Sequence, residues 1–364
     1  MSGLYIHIPF CVKKCGYCDF YSVKKTNDSI MQKFLQALIE EIILKSYIFE
    51  NQIVETVYFG GGTPSLLPFE YIEEIFKTLN DNFNIQKNAE CTLEINPEHA
   101  TDEYFSLMKQ SGFINRLSTG FQAMDDYGLK YLGRNHTVKD NYRYLDLCVK
   151  YGFDNYSVDY IFGYEGLSDS EILRSMKIFI DKKIPHISAY SLSIEENTMF
   201  HRKLLKGLLN KPQDEVFLRQ FTLIDSILTS YGYNHYEISN YSLPQKHSQH
   251  NSNYWNFTPY LGFGPSAHSF YNNFRSWNCR TLPEYFKQIE KKQLCFEHEI
   301  LTQEDIYNEK IMLGLRTSKG LKLSEVPKLD YLKFKDYFIV ENGYLKLNLN
   351  GWFISDFIIS ELFL

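Results

Sequence analysis

Cys11, Cys15 and Cys18 stand within eight residues of one another, in the string HIPFCVKKCGYCDFYS. Thiolates this close bind a metal or a cluster, or pair as a disulfide. Three is one short of the four protein ligands that close a structural zinc site, unless His7 or Asp19 supplies the fourth. An iron–sulfur cube held by three thiolates keeps one iron open to a substrate, and an open iron implies chemistry. Downstream, Gly60-Gly61-Gly62-Thr63-Pro64 lets backbone groups approach a ligand without Cβ clashes, although a bare glycine run also reads as a tight turn. Other polar residues have plain readings when taken singly. Glu94 is a strand-end carboxylate, Asp159 a capping carboxylate, Arg134 a helix-end arginine and Tyr5 a strand tyrosine.

The elements that must position these residues alternate. Strands are expected at residues 4–8, 56–59, 91–95, 116–122, 156–162 and 187–194. Helices are expected over residues 31–45, from Thr101 to a stop at Gly112, over 138–151 ended by Gly152, and over 171–183 before Pro185. Six strand–helix units predict an α/β fold with a mostly parallel sheet and helices outside, short of the eight that close a (β/α)8 barrel. In such folds sites form at the C-terminal ends of strands, and the motifs gather there. The cysteine loop follows the first strand and the glycine run the second. Glu94 ends the third, Gln122 the fourth, and Asp159 lies late in the fifth. The tail from about Leu301 mixes a helix (304–316) with an alternating strand (344–349), which predicts a small α+β C-terminal domain.

At 364 residues the chain can bury a barrel-sized core and a smaller unit. Its net charge of −6 leaves no electrostatic footprint for nucleic acid. Cys91, Cys148, Cys279 and Cys295 are scattered, which argues against a secreted disulfide framework. No secretory leader opens the sequence, and the apolar tail 352–364 is too short to span a bilayer and carries Asp356 and Glu361. The cytoplasm is the expected location.

With Tyr17 directly before Cys18, the triad resembles the C-x3-C-x-(aromatic)-C signature of the radical S-adenosylmethionine (SAM) superfamily. The resemblance implies a partial (β/α)6 barrel and a [4Fe–4S] cluster on Cys11, Cys15 and Cys18, its open iron chelated by the amino and carboxylate groups of SAM. It also implies that an electron from the reduced cluster cleaves the sulfonium and yields a 5′-deoxyadenosyl radical. The protein then binds, orients and excludes water, while the cofactor carries the hard chemistry. Segments NRLSTGFQ (115–122), LGRNH (132–136) and SVDYIFG (157–163), together with GGGTP, resemble the oxygen-independent coproporphyrinogen III oxidase family. That similarity implies SAM contacts from Tyr5, Tyr17, Gly61, Gly62, Thr63 and Glu94, with Gln122, Arg134 and Asp159 around the nucleoside or a second ligand.

Two branches of that family differ in this region. The oxidase, which converts coproporphyrinogen III to protoporphyrinogen IX, carries a fourth cysteine where this chain has Phe20, and an N-terminal extension where only ten residues precede Cys11. The haem chaperone branch carries H-N-x-x-Y-W, matched by His250-Asn251-Ser252-Asn253-Tyr254-Trp255. The resemblance therefore implies a haem carrier, with the oxidase as the alternative. His250 is the expected haem ligand, because imidazole is a common axial ligand and Tyr and Trp offer flat surfaces. His247 and His268 are competing ligands. Expected partners are haem, haem-accepting proteins (membrane-associated ones among them), an electron donor for the cluster and a second copy of the chain. The domain plan that follows is 1–200 for cluster and SAM, 201–300 for a flanking region with the His/aromatic haem loop, and 301–364 for a winged-helix-like tail used as a lid or docking surface.

Overall fold

The computed structural model describes residues 2–24, 27–211, 213–294, 296–326 and 329–364, so Cys295 falls outside the described residues. All six expected strands form: β1 (Ser2–Ile8), β2 (Ile53–Gly61), β3 (Asn84–Glu94), β4 (Arg116–Gln122), β5 (Tyr156–Phe162) and β6 (His186–Ser191). They lie side by side in chain order and pair in parallel. The crossovers are α1 (Asp28–Lys45), α2 (Phe69–Asn82), α3 (Asp102–Ser111), the pair α4 (Asp126–Leu132) and α5 (Val138–Tyr151), and α6 (Asp169–Asp181).

Helix ends follow local chemistry. The Thr101 hydroxyl accepts from the Tyr104 amide to start α3, and Gly112 ends it in the left-handed region at φ 73°. Thr137 and Asp140 form a reciprocal capping box for α5, which ends at Gly152 in the same conformation.

The sheet is larger than the six-unit pattern. Beyond α7 (Met199–Leu205) and α8 (Asp214–Ser230), strands β7 (Asn234–Glu237) and β8 (Asn240–Ser242) extend it antiparallel past β6. After α9 (Gln249–Trp255), β9 (Tyr260–Phe263) returns parallel to β1 on the other flank as a seventh parallel strand. Strands β10 (His268–Tyr271), β11 (Phe274–Trp277) and, beyond α10 (Leu282–Glu290), β12 (Glu297–Ile300) then complete that wing antiparallel. The sheet thus holds twelve strands. Tyr58 on β2 and Asp159 on β5 interact electrostatically across three strand spacings, which in a flat sheet would hold them roughly 14 Å apart, so the sheet curls. The tail holds α11 (Gln303–Leu315), a three-stranded sheet of β13 (Leu321–Lys322), β14 (Phe338–Glu341) and β15 (Tyr344–Leu347), then α12 (Leu349–Phe353) and α13 (Ser355–Ser360). Among the described residues, no helix is long and apolar enough to cross a membrane.

Period-two alternation divides the sheet's faces. Leu4, Ile6, Ile8, Val57, Phe59, Leu93, Leu117, Phe121, Val158 and Ile187 point to the helices and form the hydrophobic core. Tyr5, His7, Tyr58, Glu94, Ser118, Asp159 and Ser188 occupy the alternate positions and line the inner face.

Where the wing meets the barrel, a buried ion pair holds the join. Lys45, at the end of α1, donates to Glu41 at 2.5 Å, and to the Gly262 carbonyl and Asn278 at 3.1 Å. Glu41 also accepts from the Gly264 amide and the Tyr285 hydroxyl, both at 2.7 Å. Lys45→Met should strand the Glu41 carboxylate and destabilise the protein by about 3 kcal/mol or more. A urea unfolding curve checks this, and a midpoint equal to wild type would refute the join.

Candidate functional site

The mouth of the curled sheet collects the residues singled out from sequence. The cysteine loop leaves β1 and is fixed at Gly16, whose amide donates to the Leu132 carbonyl at 3.3 Å and whose carbonyl accepts from Phe200 at 2.9 Å. The three thiols are free and partly exposed. Cys11 accepts from the Thr63 hydroxyl at 3.6 Å, and Cys15 accepts from Arg134 Nη1 at 3.4 Å. Burial raises the Cys11 thiol, and burial together with its neighbouring thiols pushes Cys18 up to about 11. Metal binding must therefore displace protons.

A fourth zinc ligand is lacking from the places expected. His7 is buried, its Nδ1 bonded to the Tyr5 hydroxyl and its Nε2 to the Tyr21 carbonyl, each at 3.0 Å. Asp19 is exposed at the surface. Among the described residues, no three His, Cys, Asp or Glu side chains converge on one ion-sized point. Three thiols without a fourth ligand fit a cube with one open iron.

Around the thiols, the glycine run does more than open space. Gly61 has φ +107°, and a Cβ there would meet the His7 ring at 2.6 Å. At Gly62 it would meet the Phe10 and Ile8 carbonyls at 2.7 and 2.8 Å. These glycines let the end of β2 press against β1 and the segment that leads into the cysteine loop. Thr63 reaches Cys11, as above, and accepts from Asn96.

Deeper in, Glu94 accepts from the Tyr58 hydroxyl at 2.8 Å. Burial, partly offset by that bond, pushes its carboxyl up to about 7. Burial likewise raises Asp159 to about 6, against the Ser188 bond and the Arg134 and Arg116 charges. Arg134 Nη2 donates to Asn96 Oδ1 and to the Gly120 carbonyl, both at 3.0 Å, while its Nε is buried without a partner. Gln122 has φ 66°, unusual for a non-glycine residue, beside a register shift between β4 and β5, and its Oε1 is likewise unpartnered. A buried donor and a buried acceptor left open at the mouth fit a polar ligand such as SAM. Tyr17 packs edge-on against Phe200 at 6.5 Å.

His250 lies elsewhere. It is 2% exposed on the floor of the barrel, on α9 rather than in a loop. Its Nδ1 meets the Thr56 hydroxyl at 2.8 Å and its Nε2 the Tyr254 hydroxyl at 3.0 Å, while Glu90 accepts from its amide at 2.9 Å. Its ring stacks on Tyr58 at 5.0 Å. Tyr58, Asn96 and Phe200 were missed in the sequence. Tyr58 alone carried a signal, sharing strand parity with Gly60 two residues on.

Cys15→Ser should remove the cluster, so iron and sulfide analysis of anaerobically reconstituted protein should fall to background. Retention of full iron would overturn the assignment. Glu94 supplies a second test. Between about pH 4.5 and about 7 the unfolded chain ionises this carboxyl while the folded protein keeps its proton, so stability falls as pH rises through that window. Urea midpoints of cluster-free Glu94→Gln should decline less than wild type between about pH 5 and pH 8. Equal slopes would show that Glu94 is not held protonated.

Residues 5–179 match the family model for the radical SAM superfamily, whose members are expected to hold a [4Fe–4S] cluster and SAM. The chain is 33% identical to the heme chaperone HemW of Lactococcus lactis subsp. lactis, over 88% of this chain and 83% of that protein. To the heme chaperone HemW of Buchnera aphidicola subsp. Schizaphis graminum it is 30% identical, over 96% and 93%. The solved structure of coproporphyrinogen III oxidase (HemN) from Escherichia coli superposes with a TM-score of 0.83 at 20% identity, covering 99% of this chain and 89% of that one, a likeness of fold. Similarity at this level along nearly the whole sequence places the chain in the heme chaperone HemW family of radical SAM proteins.

Proposed function

We propose that this protein binds haem and hands it to acceptor proteins, and that it carries a [4Fe–4S] cluster on Cys11, Cys15 and Cys18 with SAM at the barrel mouth. The observation that carries the reading is the similarity to proteins named heme chaperone HemW, extending through both the barrel and the tail. When bound, the cluster and SAM supply one-electron and radical chemistry. The chain's own residues do the rest. Arg134 offers an unused Nε–H to an anionic or carbonyl group of the ligand, and Gln122 offers an acceptor. Glu94, protonated through the acid range, ionises near neutral pH at the foot of that site. Tyr5 and Tyr58, stacked at 6.1 Å, back the site on its inner side.

The reading brings an electron donor for the cluster and acceptors, some of them at membranes. Free thiols at six described cysteines fit a reducing cytoplasm. The tail beyond residue 301 serves as the docking surface.

An anaerobic titration of cluster-reconstituted protein with haem, followed by absorbance, should show one-to-one binding. Haem should then pass to an apo-acceptor on mixing, and coproporphyrinogen III incubated with SAM and reductant should remain unconverted. Absence of haem binding at any cluster loading would end the carrier reading, and formation of protoporphyrinogen IX would favour the oxidase.

A further inference from the structure

We infer that Asn96 aligns two side-chain donors, Arg134 and Thr63, on the sulfurs of Cys15 and Cys11, and that this relay raises the reduction potential of the cluster. The inference rests on the cluster assignment and adds a role for residues that hold no iron.

The relay is continuous. Arg134 Nη1 donates to Cys15 Sγ at 3.4 Å, and its Nη2 donates to Asn96 Oδ1 at 3.0 Å. A guanidinium can only donate, so the Asn96 oxygen must face it and the amide cannot be reversed. From the other end of that amide, Asn96 Nδ2 donates to the Thr63 hydroxyl oxygen at 3.3 Å. A hydroxyl has a single proton to give. With its oxygen already accepting from Asn96, Thr63 directs that proton to Cys11 Sγ, 3.6 Å away. One amide thus orients the donors to two of the three sulfurs.

Each member is held in place. Asn96 caps the short turn Pro97–His99, and its backbone amide donates to the Ser65 hydroxyl at 3.3 Å. Thr63 is buried. Arg134 is anchored twice more, by its backbone amide on the Leu129 carbonyl at 2.9 Å and by Nη2 on the Gly120 carbonyl at 3.0 Å. Its charge is maintained against the cost of burial by Tyr17, Cys15 and Glu98. Other groups also reach the sulfurs. The Ser22 hydroxyl bonds Cys11, the Tyr17 hydroxyl bears on Cys15, and the Phe20 backbone bonds Cys18. Among these donors Arg134 alone is a cation.

The effect has a definite sign. Hydrogen bonds to cluster sulfurs and a nearby positive charge favour the reduced form, which is the more negative of the two. A setting of low dielectric strengthens both interactions. No proton moves. The electron donor loses one electron, the cluster gains it, and Arg134 and Thr63 keep their hydrogens. A cluster supported in this way accepts its electron from a weaker reductant than the thiolates alone would demand.

The test is an anaerobic potentiometric titration of cluster-reconstituted protein followed by electron paramagnetic resonance, at matched iron and sulfide content. SAM is left out, so that any contact it makes with Arg134 does not contribute. Arg134→Gln should lower the one-electron reduction equilibrium about tenfold, a shift of ~59 mV. Thr63→Val, of nearly the same shape, should lower it about threefold. Thr63→Ser keeps the hydroxyl and should titrate with wild type. Asn96→Ala should act through both donors, so its effect should be smaller in the Thr63→Val background than alone. Should Arg134→Gln fail to keep its cluster, the two Thr63 variants decide. The inference is overturned if Thr63→Val and Asn96→Ala titrate with wild type, or if Thr63→Ser falls as far as Thr63→Val. A wild type that takes up no iron and sulfide would remove the cluster assignment itself, and the inference with it.

Discussion

Burial of polar side chains along the inner face of the sheet is the constraint on which the rest of the structure depends. The outer face is conventional, with β-branched and aromatic residues against six crossover helices. Inside stand Glu90, Arg116, Thr56, His186 and Ser157, each nearly without solvent access. Buried polar atoms are costly unless they are paired, so each of these must find a protein partner, a water or a ligand. At the floor several of them find protein. Glu90 accepts two amides from the start of α9, Arg116 bonds Asn155 at 2.6 Å, and His250 uses both ring nitrogens. Toward the mouth they do not, and Arg134 Nε and Gln122 Oε1 are left open.

The motif residues serve different ends. The H-N-x-x-Y-W segment supplies a plug: His250 and Tyr254 bond each other, Thr56 and the Tyr5–Tyr58 stack surround them, and Ser248 caps the helix by accepting from the Asn251 amide. The GGGTP segment supplies close packing between β2 and the cysteine loop as much as access to a ligand. Both segments act through neighbours that are distant in sequence.

Distance in sequence also separates what could be read from what could not. Strand positions and the stops at Gly112 and Gly152 were legible because period and capping are local. Residues 260–263 read as part of a loop, yet they form a strand buried beside β1, because the partner that makes them a strand lies at the other end of the barrel. The region 246–270 reads as a His- and aromatic-rich loop, and it folds instead into α9, β9 and most of β10. Lys45 closes the helix expected over residues 31–45. Its burial depends on Asn278 and the Gly262 carbonyl, more than two hundred residues away. The six-unit barrel was correct in its strands, and the extra parallel strand and the two antiparallel wings lay beyond a pattern count.

The charge balance at the mouth links the cysteine loop to this scheme. Arg134 is a cation held in the interior, and its direct hydrogen-bond acceptors are Asn96 Oδ1, the Gly120 carbonyl and the Cys15 sulfur. Against burial, the neighbouring His136 and the Arg134 charge hold the Glu98 carboxyl down at about 2, and its close contact is with His136 at 3.5 Å rather than with the guanidinium. Desolvation works against the buried guanidinium, but Tyr17, Cys15 and Glu98 around it outweigh that cost and hold it charged. Converting Cys15 and its two neighbours to thiolates would place negative charge directly against Nη1. Burial resists ionisation of Cys11 and Cys18, so a cluster held by the three thiolates would bring to Arg134 a negative charge that the thiols withhold. Arg134 thereby joins the cysteine loop to the inner face, with Cys15 on one side and the Gly120 carbonyl on the other.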